Sequence, residues 1–178
     1  MKNVFITGGT GFLGINLIDA LLATGEYSVT ALHRKSSDLT HLQKRNVRMA
    51  EGSILEPESL RKGIGTDTDL VFHVAANTNM WSVKNPEQTR DNVEGTRQVV
   101  EACLSQKVGR LIHTSSIAAF GLYDGKKIDE SVPSNARDSG INYVRTKYLA
   151  ELDVLEGIRN GLDAVFLNPA NIMGPYDT

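Results

Sequence analysis

The stretch Thr7-Gly8-Gly9-Thr10-Gly11-Phe12-Leu13-Gly14 decides how the rest of the chain is read. It follows a short apolar run, Asn3-Val4-Phe5-Ile6, that reads as a buried strand, and it opens a helical pattern from Phe12 to Ala23. Glycines at 8, 11 and 14 supply a tight turn, close approach of backbone N–H groups to a pyrophosphate, and close packing of helix on sheet. The positive end of the helix then faces the phosphates. A ligand-free glycine turn has the same letters. The place of this one, at the first strand–helix junction, points to a nucleotide.

Outward from that junction the chain alternates short apolar runs with amphipathic stretches. Strands are expected at Tyr27–Leu32, Val47–Ala50, Asp69–His73, Arg110–Thr114 and Ala164–Leu167, most without clean alternation, as strands covered on both faces should be. A helix is expected from Asn85 to Gln106, with Asn85 as cap, Pro86 in the first turn and Gln88 completing a capping box. Its buried side would carry Val93, Val99, Val100, Cys103 and Leu104. Another helix spans about Gly140 to Arg159. This order predicts an α/β fold: a Rossmann-type, doubly wound parallel sheet with helices on both faces. The segment from Tyr123 to Ser139 is the one long loop, and such loops often close over active sites.

Composition narrows the function classes. The 178 residues carry 19 Lys and Arg against 21 Asp and Glu, a formal charge of −2, so no basic stripe recommends nucleic acid. One cysteine allows no internal disulfide and suits a reducing compartment. No apolar run approaches the ~20 residues of a membrane span, and the N-terminus does not read as a signal peptide. The expectation is one cytoplasmic globular domain over residues 1–178, with no nucleic-acid or membrane partner.

Further motifs add chemistry. The second strand ends Leu32-His33-Arg34-Lys35 with no carboxylate, so Arg34, with Lys35 beside it, offers positive charge to a 2′-phosphate. NADP(H) is favoured over NAD(H) on that ground. Tyr143 and Lys147 are spaced to share one helix face, where the ammonium is expected to lower the phenol's pKa and make it a general acid or base. Tyr123 and Lys127 repeat the spacing, but Gly125 lies between them in the long loop, and Tyr123 is read as a chance match. At Thr114-Ser115-Ser116 hydroxyls reach the carboxyl end of a strand, where such sheets bind ligands. One serine could donate to a substrate oxygen while the other caps the next turn. His73 reads as packing or backbone support, Cys103 as core. His33, His41, His73 and His113 show no metal-ligand spacing, and no nucleophile elbow is present. Met80 and Trp81 either line a substrate pocket or anchor a loop.

Taken together, Thr7-Gly8-x-x-Gly11-x-x-Gly14, His73-Val74-Ala75-Ala76, Asn92-Val93-Glu94-Gly95-Thr96, Thr114-Ser115-Ser116, Tyr143-x-x-x-Lys147 and Asn168-Pro169 resemble the extended branch of the short-chain dehydrogenase/reductase superfamily, the NAD-dependent epimerase/dehydratase family. The phrase Asn168 to Pro175 is similar to that of the dihydroflavonol-4-reductase-like group. The resemblance implies that Gly8, Thr10, Gly11, Phe12 and Leu13 wrap the pyrophosphate and that Arg34 holds the 2′-phosphate. Ser53 and Ile54 would lie by the adenine, with Ser53 standing where the family usually has Asp. Ala75, Ala76 and Thr114 would pass the nicotinamide side, with Pro169 to Ile172 bordering its ring. Asn92 would be near that ribose, as a contact or as structure. Ser116, five residues before Gly121, matches the catalytic hydroxyl better than Ser115. Tyr143 would be the proton donor or acceptor, and Lys147 would bind the ribose and tune Tyr143.

The implied reaction is an NADP(H)-dependent reduction of a carbonyl, or oxidation of the alcohol, with the substrate oxygen between Ser116 and Tyr143. Relatives that dehydrate sugar nucleotides carry an Asp-Glu pair where this chain has Ile117 and Ala118, so dehydration is disfavoured. An NAD-dependent sugar-nucleotide epimerase is the alternative, and a nucleotide-binding or redox-sensing module without turnover is the alternative of another class. The resemblance also implies a homodimer through the helices 85–106 and 140–159. Relatives continue beyond Thr178 into further sheet and a C-terminal substrate lobe. This chain is therefore expected to be a shortened form, or one whose site a second chain completes.

Overall fold

A computed structural model describes residues 1–79, 85–125 and 127–177. Six strands form one parallel sheet in the order β3-β2-β1-β4-β5-β6. They are β1 (Lys2–Thr7), β2 (Tyr27–His33), β3 (Arg48–Glu51), β4 (Leu70–His73), β5 (Arg110–Thr114) and β6 (Ala164–Leu167). The helices are α1 (Phe12–Thr24), α2 (Pro57–Ile64), α3 (Pro86–Thr89), α4 (Gly95–Gln106) and α5 (Asn142–Arg159). The order reverses direction between β1 and β4, and the crevice beyond the carboxyl ends of the strands there is where this architecture binds ligands.

The sheet is buried on both faces because its central strands are apolar at consecutive positions. Val4 and Ile6 of β1 turn toward Ile18 and Leu21 of α1, together with Val29 and Ala31 of β2. Phe5, between them, turns the other way, into a core with Leu60 and Ile64 of α2, Val99 and Cys103 of α4 and Val154 of α5. Cys103 is fully buried, as expected, and burial pushes its thiol up to about 12. The outer edge is different in kind: Leu167 of β6 is 52% exposed.

Two expectations need correction. The helix read as continuous from Asn85 to Gln106 is interrupted: α3 widens into a π-type turn at Arg90–Glu94 before α4 begins. The Asn85 side chain does cap, accepting from the Gln88 N–H at 3.0 Å. Gln88, however, does not return the capping-box bond. It is fully buried, and its amide donates to the carbonyls of Asn77 (3.1 Å) and Asn79 (2.6 Å) and accepts from Asn142 (2.9 Å). Three long-range partners outweigh one exposed local bond. The positions Met80 and Trp81 lie outside the described residues.

Candidate active site

A cleft of about 1410 Å³ opens along the carboxyl ends of β1, β2, β4 and β5. Its floor is the turn from β1 into α1. Gly8 has φ +74°, and a Cβ there would stand 2.7 Å from the Ala75 N. A Cβ on Gly14 would stand 2.1 Å from the Gly8 carbonyl oxygen. Only glycine lets the first turn of α1 approach the β4 exit so closely. Gly11 precedes the helix without a side-chain cap, and the first turn holds no acidic residue. The unpaired N–H groups there suit an anion.

Along this cleft lie Gly8, Thr10, Gly11, Phe12 and Leu13, then Arg34, Ser53 and Ile54 at one end. Ala75, Ala76, Thr114, Ser116, Tyr143, Lys147, Pro169 and Ile172 line the other. These are the positions expected to meet the two ends of a dinucleotide, and the cradle fits one. Two expected contacts are placed elsewhere. Lys35 is exposed in the turn after β2 and is not part of the lining. Asn92 is buried and its side chain is spent inside the protein. It accepts from the Asn77 N–H at 2.7 Å and donates to the Asn77 carbonyl (3.0 Å) and to Thr146 Oγ1 (3.1 Å). Ser53 Oγ accepts from the Leu55 N–H at 3.2 Å, closing its own turn.

The reactive end is built from three elements. Ser116 follows β5 and caps a short turn, its Oγ accepting from the Ala118 N–H at 3.1 Å. That leaves the Ser116 proton free, and the hydroxyl lies near enough to the Tyr143 phenol to favour its ionised form. The capping role read for one serine of the pair thus falls on Ser116. Ser115 is buried, and its Oγ has no hydrogen-bond partner among the described residues.

Tyr143 and Lys147 share the inward face of α5, with the ammonium 5.9 Å from the phenol ring centroid. The expected direction of the phenol's pKa is overturned. Burial pushes the Tyr143 phenol above its usual value, and the Ser116 hydroxyl offsets this only in part. Lys147 is 4% exposed and donates to the Thr114 carbonyl at 3.0 Å. Burial pulls its ammonium down to about 8, against the nearby Glu151 carboxylate, which raises it. A phenol that keeps its proton at neutral pH is a ready acid.

Behind the cleft runs a buried chain of hydroxyls. Thr7 Oγ1 accepts from the Ala75 N–H (3.3 Å) and meets His73 Nδ1 at 2.7 Å, while His73 Nε2 meets Thr96 Oγ1 at 2.9 Å. Thr96 donates to the Asn92 carbonyl at 2.6 Å, so it must accept from His73, and the imidazole carries its proton on Nε2. Burial pulls His73 down to about 3, keeping it neutral. It braces the Ala75 backbone at the cleft wall and is no base. The sequence motifs contain Thr7 and Thr96 but give neither a role, which only the buried histidine between them supplies.

The loop after β5 borders the cleft, as its length suggested, and Tyr123 and Lys127 lie outside any helix. Tyr123 lines the cleft with Leu122 and Ile128 and bonds the Pro133 carbonyl. Asn135 pins the loop's base, accepting from the Leu122 N–H (3.0 Å) and donating to its carbonyl (2.9 Å).

A doubly wound nucleotide cradle with a serine, a tyrosine and a lysine along one cleft is the arrangement of the extended short-chain dehydrogenase/reductase class. Residues 4–178 match the NAD dependent epimerase/dehydratase family, and the chain belongs to it. It is 36% identical over 174 residues to a Synechocystis sp. protein provisionally named dihydroflavonol 4-reductase, covering 97% of this chain and 50% of that one. It is likewise 36% identical over 177 residues to the 4-hydroxy-2-methyl-3-oxo-4-farnesyl-3,4-dihydroquinoline-1-oxide ketoreductase of Stigmatella aurantiaca, covering 98% and 51%. Among solved structures, UDP-glucose 4-epimerase from Brucella ovis in complex with NAD superposes with a TM-score of 0.83 at 29% identity, covering 96% and 52%. The chain spans about half the length of the curated relatives it matches.

Proposed function

We propose that this chain is the cofactor-binding and catalytic part of an NADP(H)-dependent carbonyl reductase. The observation that carries the reading is the alignment of Tyr143 and a buried Lys147 on one face of α5, with Ser116 lining the same cleft beside the glycine cradle. Bound NADP(H) supplies hydride. The chain's residues do the rest: the Ser116 hydroxyl, whose proton is not used by its cap, donates to the substrate oxygen, and Tyr143 donates its proton to the forming alkoxide. Lys147, charged near neutrality, favours the phenolate left behind. The Gly8–Leu13 turn would carry the pyrophosphate. Arg34, exposed at the cleft end, would take a 2′-phosphate and favours NADP(H) over NAD(H).

A second reading, an NAD-dependent epimerase acting on a sugar nucleotide, is favoured by the likeness to the NAD-bound epimerase. A binding or sensing module without turnover is the third. NADPH consumption against a panel of aldehydes and ketones separates them. Consumption supports the reductase, and cofactor binding with no consumption by any carbonyl supports the module. Epimerisation of a UDP-sugar without net cofactor change supports the epimerase.

We further propose that residues 1–178 form one NAD(P)-binding domain. A reducing, cytoplasmic setting fits the one buried thiol, Cys103. A homodimer through the helices 85–106 and 140–159 fits Leu152, Leu155 and Ile158, exposed apolar residues of α5. A monomeric mass by light scattering at micromolar concentration argues against it.

A further inference from the structure

Glu151 lies one turn beyond Lys147 on α5, the third residue after Tyr143 and Lys147 at helical spacing. The proposed proton transfer does not use it. Two observations converge on it. Its Oε1 accepts from Asn168 Nδ2 at 2.6 Å, and the same amide nitrogen donates to the Ser116 carbonyl at 3.1 Å. Asn168 follows β6, so one amide ties the reactive helix to the backbone of the reactive serine. The second observation is charge. Glu151 is the carboxylate that acts on Lys147, and the other titratable groups facing that ammonium are Tyr143 and the buried His73 and His113. Both histidines are held neutral by burial.

We infer that Glu151 is a positioning residue with two separable duties: through Asn168 it fixes the backbone of Ser116, and from one helical turn away its carboxylate balances the Lys147 ammonium. The inference rests on the proposed roles of Ser116, Tyr143 and Lys147, yet both duties are measurable without turnover. A short charge-assisted bond to Asn168 is stronger than a neutral one. Asn168 in turn fixes the Ser116 carbonyl immediately before the Ile117 and Ala118 amides. Those amides bond Pro169 O (3.1 Å) and Ser116 Oγ (3.1 Å), so they report on the bridge.

The test crosses charge with bridge. Lys147 is titrated by side-chain NMR of the labelled chain, its resonance assigned by loss in Lys147→Arg, and exchange of the Ile117 and Ala118 amides is followed in parallel. Glu151→Gln keeps an acceptor and removes the charge. Lys147 then titrates lower by about one pH unit, taking its charged fraction at pH 8 from about a half to about a tenth, with amide exchange near wild type. Asn168→Ala keeps the charge and removes the bridge, so the titration holds while both amides exchange about tenfold faster. Glu151→Ala moves both readouts, and Glu151→Asp, a second variant should Gln disturb folding, keeps the titration near wild type. Unchanged Lys147 titration in Glu151→Gln overturns the electrostatic duty. Unchanged exchange in both Asn168→Ala and Glu151→Ala overturns the bridge. Both readouts moving as expected while NADPH turnover stays at the wild-type rate in every variant would count against the functional reading instead.

Discussion

Acidification tests the interior of this domain most severely. His73 and His113 face each other across β4 and β5 with ring centroids 5.2 Å apart, both buried, and Lys147 adds positive charge nearby. Burial pulls both below the ordinary imidazole value, His73 to about 3. An unfolded histidine takes its proton near ~6.5. Between those values the unfolded chain binds protons that the folded chain refuses, so stability rises with pH and is lost as pH falls below the unfolded value. From pH 7 to pH 5 the loss is about 2 kcal/mol for His73, and His113 adds a loss of the same sign.

The informative variant is His113→Phe. Neither His113 ring nitrogen has a hydrogen-bond partner among the described residues, and its ring already packs edge-on against Phe166. Replacement therefore removes no bond, while it takes away the His113 share of the pH-linked loss and leaves the His73 share of about 2 kcal/mol. Urea unfolding of wild type and variant at pH 7, 6 and 5 reads both losses. A wild-type stability flat over that range refutes the reasoning, as does a variant that loses as much as wild type.

Three further outcomes rest on the same geometry. Gly8→Ala forces a Cβ to 2.7 Å from the Ala75 backbone at positive φ, costing about 1–3 kcal/mol and weakening NADPH at least about tenfold. Gly25→Ala, also at positive φ but with open space around it, costs stability alone; thermal melts and fluorescence titration compare them. Arg34→Ala weakens NADPH by about 10- to 100-fold and leaves NADH within about twofold, and equal losses for both cofactors would remove Arg34 from 2′-phosphate recognition. Asn92→Ala breaks three bonds of a buried amide and destabilises by about 2–4 kcal/mol in urea, whereas a loss under about 0.5 kcal/mol denies it the structural role.

The parts of the fold that were legible are those governed by local pattern. The glycine turn announces itself because a Cβ at Gly8 or Gly14 has nowhere to go. The strand–helix alternation shows in runs such as Val4-Phe5-Ile6, apolar at every position because both faces are covered. What escaped was decided at long range. Gln88 has capping-box spacing from Asn85, but the buried carbonyls of Asn77 and Asn79 claim it. The π-type turn at Arg90–Glu94 is preceded by no helix-breaking residue; it coincides with Asn92, whose side chain reaches Asn77 and Thr146. Tyr143 shows the same limit in electrostatics. Its spacing from Lys147 is written in the chain, while the desolvation that reverses the sign belongs to the assembled site. Asn168 was noticed as half of an Asn-Pro phrase, and its bonds to Glu151 and Ser116 appear only when β6 meets α5.

The proton donor is central to the proposed chemistry, and Tyr143→Phe addresses it with the smallest change. The ring keeps its place on α5 and only the hydroxyl in the cleft beside Ser116 is lost. NADPH oxidation with a reducible ketone, measured beside the NADPH Kd, should show turnover down by about 10²- to 10⁴-fold with affinity within about twofold of wild type. Turnover unchanged in Tyr143→Phe would remove the phenol from the chemistry and contradict the proposed mechanism.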